Sequence, residues 1–125
     1  MGAREALLDA EPHASDEMGI GEVCALLANE LERIRVLGLR IEGAICAVAV
    51  QANVDERVVS ELQNLDAMLQ QIAALRDYTG ELSRLAPVAA RIGVAEALAR
   101  ITLGDVRARL AGEDSEFYEE GWEVL

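Results

Sequence analysis

Residues 21–51 read GEVCALLANELERIRVLGLRIEGAICAVAVQ, and their spacing decides the fold. Cys24, Leu27, Leu31, Ile34, Gly38, Ile41, Ile45 and Val48 recur at alternating steps of three and four residues. That rhythm draws an apolar stripe along one side of a helix and marks it for shallow-angle packing on another helix. Leu39, Gly43, Cys46 and Val50 form a second apolar line. One neighbour cannot cover both lines, so the second half of this helix calls for a further partner.

The stretch Ala52-Asn53-Val54-Asp55 follows. Asn53 suits a left-handed helix end, and Asp55 suits the cap of a new helix. A link this short forces the next helix to run antiparallel. Val58, Leu62, Leu65, Leu69 and Ile72 resume the rhythm, which drifts on through Leu75, Tyr78, Leu82 and Leu85 until Pro87 ends the helix. The spacing therefore predicts an all-α fold: a long antiparallel hairpin, residues 21–86, that dimerises into a four-helix bundle. Two shorter helices, Val88–Ile101 and Leu103–Leu110, are expected to fold across the hairpin and cover part of the second line. With a flexible acidic lead-in (1–16) and an acidic aromatic tail (113–125), the helical domain spans 17–112. Ser15 or Asp16 is the expected cap of the first helix.

Composition agrees with a bundle. Hydrophobic residues make up 52% of the chain, yet aromatics only 3%, so the core is aliphatic. The net charge of −12 repels phosphate backbones and anionic membranes and favours a basic protein partner. The apolar run 43–50 is too short to span a bilayer, and the N-terminus lacks the apolar core of a secretory signal. Cys24 and Cys46 would lie about 33 Å apart on one helix, beyond disulfide reach. They read as small buried residues in a reducing, cytoplasmic setting.

The residues exclude several chemistries. The one histidine, His13, lies in the lead-in, and no His/Cys/carboxylate cluster has ligand spacing, so neither a metal nor another cofactor is expected to be bound by this chain. Ser60, Ser83 and Ser115 have no histidine partner for nucleophilic catalysis. The ten glycines are scattered and form no phosphate-binding loop. Glu30, Glu32 and Glu42 are expected to pair with Arg33, Arg35 and Arg40 along the first helix.

One pair stands apart. Asp66 and Gln70 lie four residues apart on the second helix, so they stack on one side of it, beside the seam. Ala73, Ala74, Asp77 and Glu81 share that side. Asp66-Ala67-Met68-Leu69-Gln70 resembles the D-x-x-x-Q motif of CheZ-type chemotaxis phosphatases, and the chain's size is similar to the small CheT-type members. The resemblance covers residues 21–86 and implies a hairpin that dimerises into a four-helix bundle. It implies that Gln70 orients the water that attacks a response regulator's aspartyl phosphate, that Asp66 engages the regulator's lysine, and that the regulator brings Mg²⁺. Asp77 and Glu81 would contact the partner. The tail, with Phe117, Tyr118 and Trp122 among six acidic residues, would either tether it or pack Trp122 back onto the bundle. The residues alone are equally compatible with a non-enzymatic dimeric adaptor that presents an acidic face to a basic protein.

Overall fold

The computed structural model describes residues 17–53 and 55–113. Its elements in chain order are β1 (Glu17–Gly19), α1 (Ile20–Gln51), α2 (Glu56–Leu85), β2 (Arg91–Gly93), α3 (Ala95–Ala99) and α4 (Gly104–Leu110). The two long helices form the expected antiparallel hairpin. Asp55 caps α2 as expected, its Oδ1 accepting from the Val58 N–H at 3.2 Å. The cap residue of α1 is Gly19, which offers no side-chain bond. The Ile20 N–H donates instead to the Ala90 carbonyl at 2.9 Å, satisfying one of the donors a helix start leaves open.

The inward positions differ from the large apolar residues that the rhythm selects. Gly38 faces Leu69, the one buried residue of α2, so closely that a Cβ at 38 would overlap Leu69 Cδ2. Gly21 faces Ser83, whose hydroxyl donates to the Gly21 carbonyl at 2.7 Å. Ala28 is buried, and Ala49 is half-buried. The inward track of α1 thus keeps Cys24, Leu31, Gly38 and Ile45 but takes 21, 28, 35, 42 and 49 as their complement. Leu27, Ile34, Ile41 and Val48 stand one position to the side and are exposed. Small residues on the track let the helix axes approach.

On α2 the seam runs Val58, Leu62, Leu65, Leu69 and Ile72, and then Arg76, Thr79, Ser83 and Ala86, all at most half-exposed. The expected continuation through Leu75, Tyr78, Leu82 and Leu85 is corrected: all four are exposed. Polar residues hold the inward place because each finds a partner there. Arg76 reaches Glu32 of α1, and the Thr79 hydroxyl donates to the Leu75 carbonyl of its own helix at 2.9 Å.

The segment Val88–Ile101 is not one helix. Pro87 starts a turn closed by the Ala90 N–H on the Pro87 carbonyl, and Arg91–Gly93 pairs antiparallel with Glu17–Gly19, Met18 opposite Ile92. Only Ala95–Ala99 is helical before α4. The ribbon buries Met18 and precedes buried Val94. It also lets Arg91 Nη2 donate to the Glu17 carbonyl at 3.1 Å.

The C-terminal helices pack on α1 near its start, and not over the line Leu39, Gly43, Cys46 and Val50, which stays exposed. Cys24 is half-buried, whereas Cys46 is exposed rather than buried. Among the described residues no helix is long and apolar enough to cross a membrane.

Candidate functional site

The hairpin has two sides. On α1, Glu32 follows inward Leu31; on α2, Asp77 follows inward Arg76. These residues belong to one network. Arg35 holds Glu32 through two bonds, Nε–Oε1 at 2.9 Å and Nη2–Oε2 at 2.7 Å. Arg76 also bonds Glu32 and pairs with Asp77 at 2.9 Å. The Arg35 and Arg76 guanidiniums hold the Glu32 carboxyl well below the usual range, at about 2, because they donate hydrogen bonds to its ionised form. The positions that precede the inward ones must then share the opposite side.

Asp66 and Gln70 lie on the side of the Glu32 network, near the middle of α2. The structure brings them together: Gln70 Nε2 donates to Asp66 Oδ2 at 2.9 Å, and both residues are exposed. Only one carboxylate oxygen is used, and the Gln70 oxygen remains an acceptor. Asp77 lies two turns further on in the ion network, and Glu81 pairs with Arg84. Both are therefore already engaged by arginines of their own helix. Leu39, Gly43, Cys46 and Val50 of α1 add an apolar component to this side.

The opposite side carries no charge over most of its length. On α1 it runs Ile34, Leu37, Ile41, Ala44 and Val48; on α2 it runs Met68, Gln71, Leu75, Tyr78, Leu82 and Leu85. Both stripes keep the three-four rhythm, and every large apolar residue in them is at least 37% exposed. Near the turn the stripe opens into a cavity of about 200 Å³ between Ile45 and the α2 residues Val58, Leu62 and Leu65, where Arg57 and Glu61 bring charge to its edge. No large side chain of the described residues is completely buried, so this chain leaves unburied much of the apolar surface that stabilises a domain.

Towards the start of α1 the C-terminal helices meet the same stripe, half-burying Val23 while Leu27 stays exposed. Val23 and Leu27 border a cavity of about 210 Å³ completed by Val94, Leu98, Ile101 and Leu110. Beside it Arg109 grips Glu30 through two bonds of 2.8 Å, both side chains being nearly buried. Glu30 is thus held across the fold by Arg109, and Arg35–Glu32 forms as expected. Sequence reading missed Arg76 and Arg109; the signal for Arg76 was its place four residues after Ile72 on the seam.

A sequence-family model described as a domain of unknown function (DUF8776) matches residues 16–122. The chain belongs to that family. No curated protein and no solved structure matches the chain. The family match runs past α4 and ends at Trp122. The expected partner contacts Phe117 and Trp122, with Tyr118, His13, Ser15, Asp16 and Ser115, lie outside the described residues. Among the described residues, no group of three or more His, Cys, Asp or Glu side chains is placed to hold a metal ion.

Proposed function

We propose that the chain is a homodimeric helical hairpin that binds a phosphorylated receiver-domain response regulator in the cytoplasm and promotes hydrolysis of its aspartyl phosphate, as CheZ-like proteins do. The supporting observation is the division of the hairpin: Asp66 and Gln70 are joined at 2.9 Å on the side that dimerisation through the uncharged stripe would leave open. A second copy supplies helices of the same period, and an isologous contact brings stripe against stripe without opposing like charges.

The chemistry follows from the pair. The Asp66 bond fixes the Gln70 amide, whose Oε1 can accept a hydrogen bond from the attacking water and so orient it without repelling the phosphoryl group, the water's protons leaving on the inorganic phosphate. The water oxygen bonds to phosphorus, the phosphorus–carboxylate bond breaks, and the regulator's aspartate and inorganic phosphate leave. The free oxygen of Asp66 would meet the regulator's lysine. Mg²⁺ would arrive with the regulator. The test is the lifetime of a phosphorylated receiver mixed with the wild-type chain or with Gln70→Ala. The wild type should shorten the lifetime, and the variant should not. Equal lifetimes would contradict the reading.

A second reading is a non-enzymatic dimeric adaptor. It is favoured by the same hydrogen bond seen differently: Asp66 and Gln70 satisfy one another on an exposed helix side. The net charge of −12 then selects a basic partner. This reading predicts a stable complex with no change in phosphoryl lifetime.

A further inference from the structure

We infer that the cavity between α1 and the C-terminal helices is the docking site of the chain's own tail, with Trp122 as its occupant. The cavity is a half-open hollow of about 210 Å³ lined by aliphatic side chains, among them Val23, Leu27, Val94, Leu98, Ile101 and Leu110. An aliphatic cavity of roughly 150 Å³ holds a benzene ring, so this one accepts a larger aromatic side chain.

The chain is directed toward it. Helix α4 closes with Gly112 at φ 83°, a left-handed conformation that suits glycine. The Gly112 N–H donates to the Arg109 carbonyl and the Glu113 N–H to the Ala108 carbonyl. This double closure turns the backbone away from the helix axis. A Cβ on Gly112 would stand 3.7 Å from Met18 Cε and 3.9 Å from Glu22 Oε2. The chain therefore leaves beside the start of α1, next to Val23. Nine residues, at up to about 3.4 Å each, lead from Asp114 to Trp122. That reach is ample, since Leu110 of the cavity wall lies only three positions before Glu113.

Charge favours the same contact. The segment 91–110 holds Arg91, Arg100, Arg107 and Arg109 against Glu96 and Asp105, a net +2 in a chain of −12. Arg100 and Arg107 are exposed. The tail 113–125 holds six carboxylates and no base. The family match also extends through Trp122, so the segment belongs to the matched domain and is not an appendage to it.

Trp122 is the only tryptophan, so its fluorescence reports on this contact in the full chain. Docking predicts a blue-shifted emission that acrylamide quenches poorly and that dilution leaves unchanged. Ala97 is an exposed residue at the cavity wall. Ala97→Phe should fill the space, move the emission to that of a hydrated indole and raise quenching several-fold, with helicity by circular dichroism preserved. Reversing one exposed charge outside the cavity lining, Arg100→Glu, should loosen the tail while the wall side chains stay in place. A hydrated emission in the wild type would overturn the inference, as would a protected emission that neither variant changes. Protection that disappears on dilution would also overturn it, by placing the tail on a second copy.

Discussion

The two halves of the α1 side stripe have the same period and opposite surroundings. From Val23 to Glu30 the stripe is met by the chain's own C-terminal helices. From Ile34 to Val48 nothing in the described chain covers it. The difference lies in what the stripe contains. The covered half includes Glu30, and the buried, bidentate Arg109 pair fixes where α4 must sit. The open half has no charge to anchor a local segment, only a heptad of aliphatic side chains that suits another helix. A charge inside an apolar stripe specifies one local contact, and an uncharged stripe leaves the place to a partner.

The comparison can be broken at its anchor. Arg109→Ala leaves Glu30 nearly buried and unpaired, which should cost about 3 kcal/mol and free residues 95–110. Hydrogen exchange should show that segment losing protection while the hairpin keeps its own. Replacing both partners with leucine should restore much of the loss. Next comes the contact that both halves depend on. Gly38→Ala drives a methyl group into Leu69, and about 2 kcal/mol should be lost in denaturant unfolding.

A smaller effect concerns the polar side. The Glu32 carboxyl is depressed to about 2 in the fold, against about 4.5 when unfolded. Its stabilisation is therefore complete above roughly pH 4.5 and is lost as pH falls through about 2. Glu32 is more than a third exposed, so solvent screening reduces the contribution to about 1 kcal/mol. Glu32→Gln should flatten the unfolding free energy over that window. Smallest of all, Gln70→Ala should change stability by less than about 0.5 kcal/mol, the norm for an exposed side chain. Any loss of receiver dephosphorylation in that variant then reports on chemistry, not folding.

The hairpin, its short link and the Asp55 cap were legible in the sequence because they are local: a repeated period and a carboxylate placed before a helix. The choice of inward residues was not. A reading by size selects Leu27, Ile34, Ile41 and Val48, whereas the helices meet on Gly21, Ala28 and Gly38, where absence of bulk matters. The same reading selects Leu75 and Tyr78 over Arg76 and Thr79, because it cannot foresee that Glu32, distant in sequence, satisfies the arginine. The β ribbon was hidden for the same reason. It joins residues more than seventy positions apart, and neither strand carries a local signal beyond Ile92. At the candidate site, the four-residue spacing put Asp66 and Gln70 on one side of the helix, where the structure joins them by a hydrogen bond, but Asp77 and Glu81 turned out to be bound by neighbouring arginines.

The central claim is that a second copy covers the open stripe, and the mass in solution tests it most directly. Sedimentation equilibrium at micromolar concentration should give twice the 13.5 kDa of one chain, and Leu75→Asp with Ile41→Asp should return the single-chain mass with helicity retained. A wild-type chain that sediments at 13.5 kDa across the accessible concentrations would contradict the account.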